Sequence, residues 1–421
     1  LTGPGGTGKS YLIHYIRDNC EDVAVTALTG CAALLLGQGA KTIYSWAGIG
    51  LGKETVDELV TKIRRNGRTK KNWRSTQTLV IDEISMMPAD LFEKLDAIGR
   101  KVRGVQRPFG GIQLVLSGDF FQLPPIAAAG QTRFVFESPV WAEAVQESIV
   151  LTEIKRQSDP MFQDILNAAR QGRLTEEHLD ILRARKGLPW QSEAIRPTLL
   201  FSRRTEVDAI NDANLKALTG PRMTYTVETV DIPTGSPAKK QAQLPFALNA
   251  PGKMTTAYSK ATEEAAALVD KNAPYQAELV LAPGAQVMLL YNMDITAGLV
   301  NGSRGVVTGF SQEAGKYPIV QFKHCTRMIA PHTWPLGDGF PGLARQQVPL
   351  TLAYAQTIHK CQGSTLDSAL IDIGSRTFEY GQAYVALSRV KSLDSLYIWD
   401  IDPAALMVHP RVTAFYQSIA V

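Results

Sequence analysis

Near its start the chain carries Gly3-Pro4-Gly5-Gly6-Thr7-Gly8-Lys9-Ser10. The form G-x-x-x-x-G-K-S is that of a loop that binds phosphate. Its glycines let successive backbone N–H groups curl around phosphate oxygens without Cβ clashes. Lys9 can reach the β- and γ-phosphates, and the Ser10 hydroxyl can ligate Mg²⁺. Further along, the apolar run Thr78 to Ile81 ends in Asp82-Glu83. Beside a phosphate loop, such an Asp holds Mg²⁺ and such a Glu deprotonates the attacking water. Taken alone, the pair would also serve as an acidic helix start. Gln122 stands in Gly118-Asp119-Phe120-Phe121-Gln122-Leu123-Pro124-Pro125. Its amide can donate to a γ-phosphate oxygen and accept from water. Arg156 and Arg389 are candidate arginine fingers, since a planar, permanently charged guanidinium suits transition-state phosphate charge. Thr357-Ile358-His359-Lys360-Cys361-Gln362-Gly363 offers hydroxyl, imidazole, ammonium and amide groups before a glycine. That set suits phosphate contacts, and a histidine there also fits a core position.

These residues need a scaffold that gathers them at one edge. Val23 to Ala27, Thr78 to Ile81 and Ile112 to Leu116 read as short buried strands. They alternate with helical stretches, the pattern of a parallel sheet covered by helices. Ligands bind such sheets at the carboxyl ends of the strands, where each motif above falls. A phosphate loop follows a strand, of which only Leu1 and Thr2 are present, so the first strand is expected to be truncated at its N-terminal side. A second α/β unit is expected from Leu151. Its strands are Pro197 to Phe201, Ser368 to Ile373 and Ser395 to Trp399, and its helices are Arg204 to Asn214 and Tyr380 to Val390. Residues 232–276, rich in Pro, Ala, Lys and Thr, read as an inserted loop with one short helix, Lys260 to Leu268. Gly305 to Leu352 has the alternation and turn residues of a small β-barrel.

Composition bounds the function class. The 421 residues hold 44 Lys and Arg against 40 Asp and Glu, a net charge of +4 too small for a wholly basic nucleic-acid coat. Lys62 to Arg74 alone holds seven cations and no acid, which leaves 37 basic against 40 acidic residues elsewhere. This stretch reads either as a solvated loop or as a nucleic-acid contact. At 45% hydrophobic residues, the chain can build packed cores. No apolar run is long enough for a membrane span, and there is no signal-peptide pattern. Cys20, Cys31, Cys325 and Cys361 form no C-x-x-C pair, which points to reduced thiols and an intracellular setting.

In the order GPGGTGKS, ALTGCAA, TIYSWAGIG, LVIDEISMM, GDFFQLPP, EIKRQ, GLVNGSRG, TIHKCQG and AYVALSRV, the chain resembles the Pif-type DNA helicases of helicase superfamily one, relatives of the RecD-like enzymes. The resemblance runs nearly end to end, residues 232–276 excepted. It implies an α/β fold of two RecA-like motor domains, 1–150 and 151–421. A wedge insertion is implied at 44–74 and a small β-barrel insertion at 303–350. It further implies Mg²⁺-dependent ATP hydrolysis and 5′→3′ translocation on single-stranded DNA, with unwinding of forked or structured DNA in genome maintenance. It assigns Gly3, Pro4, Gly5, Gly6, Thr7, Gly8, Lys9, Ser10, Asp82, Glu83, Gln122, Arg156, Gly363 and Arg389 to the ATP site. Thr29, Gly30, Thr357 and His359 go to DNA contacts. Tyr44 stands where the family commonly has His. With Trp46 it suits base stacking and core packing equally. Cys361 stands where Ser is common. Adenine recognition lies upstream of Leu1 in the family and has no counterpart in this sequence. A monomeric motor is expected, in the nucleus or mitochondrion of a eukaryote and otherwise in the cytoplasm. Two alternatives stand beside this reading: a helicase module of a mobile-element or viral polyprotein, and a non-catalytic NTP-dependent DNA-binding scaffold.

Overall fold

The computed structural model describes all residues except 38, 51, 127–131, 191–194, 232–272, 274, 295, 314, 337–341 and 420–421. It forms two compact units. The first comprises Leu1–Gly187, Cys361–Gly363 and Ile371–Val421, and the second Leu188–Lys360 and Ser364–Leu370. The expected boundary near residue 150 follows motif order. Packing instead keeps residues 151–187 and the C-terminal stretch with the phosphate loop.

The first unit is built on strands β1 (Val23–Ala27), β2 (Lys41–Thr42), β3 (Thr78–Asp82) and β4 (Gln113–Leu116). They form a parallel sheet in the order β2-β1-β3-β4. Every residue of β3 is buried, as an unbroken apolar run between two covered faces requires. Ala27 pairs with Asp82 and Ile81 with Leu116, so the strand ends are level. Thr2 bridges Gly118 and Val150 in parallel, which brings the phosphate loop out at the same edge.

Helix α1 (Lys9–Asn19) begins where that loop ends, and α2 (Gly30–Leu35) follows β1. Then come α3 (Ile43–Ala47), α4 (Val56–Arg65), α5 (Gly67–Ser75) and α6 (Ala89–Arg103). The basic stretch Lys62 to Arg74 is therefore helical and not a loop. A reciprocal Thr55–Glu58 capping box starts α4. Asn66 ends α4 and caps α5, its side chain accepting from the Arg68 and Thr69 N–H groups. Ile63 and Trp73 are fully buried and anchor the pair of helices. Of the seven cations all are exposed except Lys70, which is half-buried. The helix expected over Tyr380 to Val390 is shorter, Gln382–Leu387. Beyond it, the Ser388 and Val390 carbonyls accept from the Arg156 and Gln157 side chains.

In the second unit Thr198–Phe201 pairs in parallel with Ala355–Thr357, and the Arg204–Ala217 helix packs beside them. The three other sheets of this unit are antiparallel. Five strands run in the order 326–328, 318–322, 304–310, 286–289, 350–352. Three more run 332–335, 343–347, 228–231, and 223–226 pairs with 278–281. The β-rich texture read over Gly305 to Leu352 is thus present, with strands recruited from residue 223 onward. Leu279, Leu281, Val287, Leu289, Val307, Val320 and Leu350 form its core. Most of the expected insertion 232–276, including the helix Lys260 to Leu268, lies outside the described residues. No helix among the described residues is long and apolar enough to cross a membrane.

Candidate active site

The phosphate loop is pinned at both ends. The Thr2 N–H donates to the Ile149 carbonyl and the Leu151 N–H to the Thr2 carbonyl, each at 2.8 Å. The Lys155 N–H donates to the Gly6 carbonyl, also at 2.8 Å. Gly6 has φ +87°, and a Cβ built on it would lie 2.6 Å from Arg156 Cβ, so no other residue fits there. Thr7 Oγ1 donates to the Pro4 carbonyl, and Gly8 forms the left-handed N-cap of α1. Lys9 Nζ donates to the Gly3 and Pro4 carbonyls at 2.7 and 2.9 Å. Burial lowers its pKa, opposed by Asp119, Glu83 and Asp82. Ser10 is exposed in the first turn of α1.

Three side chains converge on Gly5. A Cβ built there would lie 3.5 Å from the Tyr384 hydroxyl and 3.6 Å from both Arg389 Nη2 and Gln122 Nε2. Gln122 and Arg389 are expected participants. Tyr384 is not, yet its hydroxyl accepts from the Gly5 N–H at 2.8 Å. The same hydroxyl donates to Asp119 Oδ2 at 3.4 Å. Burial, reinforced by the Asp119 charge, raises the Tyr384 pKa and keeps the hydroxyl protonated. Asp119 is fully buried. It also accepts two 2.9 Å bonds from Arg170 and one from the Tyr416 hydroxyl at 3.1 Å. The Arg170 guanidinium lies 4.5 Å over the Phe121 ring. Asp119 sits inside the quoted GDFFQLPP motif, so its neighbourhood was readable. Arg170 and Tyr416 are single residues with no local signal.

Asp82 ends β3, and burial raises its pKa. Glu83 follows with φ +57°, a left-handed conformation that is costly for a residue with a side chain. Burial, with the Asp82 charge second, pushes the Glu83 pKa up to about 7, opposed by a hydrogen bond from Gln362 and by Lys9 and Arg389. Gln362 Nε2 donates to Glu83 Oε2 at 2.9 Å. Gly363 is beside it with φ +79°, and a Cβ there would lie 3.3 Å from Glu83 Oε1.

The two arginines belong to the same unit as the phosphate loop. Arg156 Nη1 donates to the Ser388 carbonyl at 3.1 Å. Burial and then the like charge of Arg389 push its pKa down to about 10. Arg389 is 1% exposed and donates to the carbonyls of Val385 and Cys361 and to Ser388 Oγ. Burial lowers its pKa, with Glu83 the main opposing charge.

The residues expected on DNA are divided between the two units. Thr29 Oγ1 accepts from the Ala32 N–H at the start of α2, with Gly30 beside it, both half-buried. Tyr44 is half-buried against the core. Trp46 is buried, its ring 4.7 Å from Trp73, the core-packing arrangement. Thr357 and His359 belong to the second unit. Thr357 Oγ1 accepts from the Lys360 N–H, and burial lowers the His359 pKa.

The chain that carries this site is similar to known proteins. Residues 1–179 match the family described as PIF1-like helicase, and residues 266–310 match the DNA helicase Pif1 2B domain. The ATP-dependent DNA helicase PIF1 of Homo sapiens is 39% identical over 424 residues, covering 100% of this chain and 61% of that protein. The chain thus spans about three-fifths of the length of the PIF1 proteins it matches. The crystal structure of the Pif1 helicase from Candida albicans is 35% identical with a TM-score of 0.76, covering 100% of this chain and 95% of that one. The structure of Bacteroides Pif1 with ADP-AlF3 and single-stranded DNA is 27% identical with a TM-score of 0.64, covering 99% and 92%. The chain belongs to the PIF1-like helicase family.

Proposed function

We propose that this chain is the motor of an ATP-dependent DNA helicase, which hydrolyses ATP and moves 5′→3′ along single-stranded DNA. One observation carries the reading: Lys9, Glu83, Gln122, Arg156 and Arg389 all lie around a single phosphate loop. The glycine amides and Lys9 hold the phosphates. Glu83, whose burial raises its proton affinity, takes a proton from water as the water oxygen attacks the γ-phosphorus. The bond from the γ-phosphorus to the β-bridging oxygen breaks, and Arg156, Arg389 and Gln122 stabilise charge on the transferring group.

Ser10 and Asp82 fit Mg²⁺. They supply one hydroxyl and one carboxylate, and Mg²⁺ in such sites takes one or two protein oxygens with phosphates and water completing the shell. No cluster of three or more His, Cys, Asp or Glu among the described residues competes for a metal. When bound, the ion would neutralise charge on the β- and γ-oxygens.

A relative crystallised with single-stranded DNA, and a related structure described as the basis for DNA unwinding at forked duplex DNA, support a DNA track. We assign Thr29, Gly30, Tyr44, Thr357 and His359 to that track, and the exposed cations of 62–74 to the duplex junction. Motors at 1–150 and 151–421 and a role in maintaining intracellular genomes complete the proposal. Lys9→Ala tests it. Phosphate release with single-stranded DNA should fall at least about a hundredfold, since a charge at the transferring phosphates is lost. Retained DNA-stimulated turnover would sink the assignment.

A further inference from the structure

We propose that Gln362 is a positioning residue for hydrolysis, orienting the Glu83 carboxylate toward the attacking water. The inference rests on Glu83 acting as the base, as proposed above. Gln362 is 6% exposed, and its Nε2 donates to Glu83 Oε2. The amide orientation is fixed by chemistry, because turning its oxygen toward the carboxylate would set acceptor against acceptor. With Oε2 held, Glu83 presents Oε1 as its proton-accepting atom. That atom lies beside Gly363, where any side chain would crowd both it and Leu35 Cδ1.

The other half of the amide is the second observation. Gln362 Oε1 is buried and has no hydrogen-bond partner among the described residues. A buried, unsatisfied carbonyl oxygen is costly and is kept where something is to donate to it. One acceptor on Gln362 and one on Glu83 match the two hydrogens of a water molecule. The carbonyl of the preceding Cys361 accepts from Arg389 Nη1 at 3.2 Å. Two consecutive residues thus touch the finger arginine and the base, and Gly363 leaves room beside the base. That is a role for TIHKCQG beyond phosphate contact, and Cys361 enters it through its backbone, which a Ser would supply equally.

The test is a mutant cycle read by ATP turnover with Mg²⁺ and saturating oligo-dT. Gln362→Met keeps the length and removes both polar atoms. Its kcat should fall about tenfold or more, the effect of losing a hydrogen bond to a charged group. KM for ATP should stay within about twofold, because the contact serves the transition state. Gln362→Glu, which faces Glu83 with a second carboxylate, should fall further. Glu83→Gln combined with Gln362→Met should be no slower than Glu83→Gln alone. Unchanged kcat in Gln362→Met overturns the proposal. So does a raised KM with kcat retained, a double variant whose losses multiply, or loss of fluorescent ADP binding, which would show a merely structural residue. Wild-type turnover in Glu83→Gln would instead overturn the base assignment on which the proposal stands.

Discussion

The two units handle buried polarity in opposite ways. In the first, charge is buried against charge: Asp82, Asp119, Arg170 and Arg389 are all within the interior. In the second, the buried Arg304 meets neutral acceptors. It donates to the Arg196 carbonyl, Thr198 Oγ1 and Ser368 Oγ, with the Asp367 charge opposing the effect of its burial. Removing a charge from water costs several kcal/mol, and a neutral acceptor or a single counter-ion offsets only part of that. Among the described residues the second unit holds few such groups and relies on an aliphatic core. The first concentrates them around the phosphate loop, where Asp119, Asp82 and Arg170 act on Lys9 and Arg389 lies beside Gly5. The difference separates residues kept for chemistry from residues kept for the fold.

The largest expected effect strikes the charged side of this comparison. Asp119→Ala leaves Arg170 buried without its counter-ion, which should cost about 3 to 5 kcal/mol in urea unfolding of the first unit. Asp119→Leu with Arg170→Met replaces the pair by apolar groups and should recover most of that stability. ATPase activity should stay low in the double variant, because Tyr384 loses the acceptor that aligns its hydroxyl on the Gly5 amide. A double variant that regains both stability and turnover would reduce the Asp119 network to a structural staple and break the distinction drawn above.

How much of this could be read from the sequence follows from the range of the interactions involved. Strands β1 and β3 appear where expected, because an apolar run of four or five residues states its own burial. The phosphate loop and Asp82-Glu83 were equally legible, since their chemistry depends on local spacing. Arg170 and Tyr416 were not, because they meet Asp119 across 51 and 297 positions of chain. Lys62 to Arg74 reads as a loop by its charge alone, yet Lys and Arg are good helix formers and Asn66 is a strong cap. Trp46 shows the reverse limit: an aromatic beside a motif reads the same whether it faces a base or a core.

A prediction of intermediate size tests the second unit, where a neutral interior should resist protonation. His332 stacks on Tyr291 at 4.1 Å and meets the edge of Trp334 at 4.7 Å. Burial pushes its pKa down to about 4, from 6.5. The folded state therefore excludes a proton that the unfolded chain accepts. Stability from this residue is complete above pH 6.5, is lost as pH falls toward 4, and changes no further below that. The loss should be at most about 3 kcal/mol. His332→Phe should remove this slope from the pH dependence of unfolding. An unchanged slope would mean that another group carries it.

The smallest effect belongs to the helices of residues 62–74, which fit neither pattern: their charges are exposed and their anchors apolar. Asn66→Ala removes the acceptor for two α5 N–H groups and should cost about 1 kcal/mol. Because Ile63 and Trp73 remain buried, the helices should persist on average while α5 frays at its start. If the exposed cations contact phosphates as independent charges, affinity for forked DNA and its salt dependence should change little, since the number of cations is untouched. If they act as a rigid array held in register by the cap, affinity should fall by more than the stability loss alone explains, with the salt slope reduced. Measuring the slope for wild type and Asn66→Ala therefore separates a cap that only stabilises from one that sets the geometry of a charged surface.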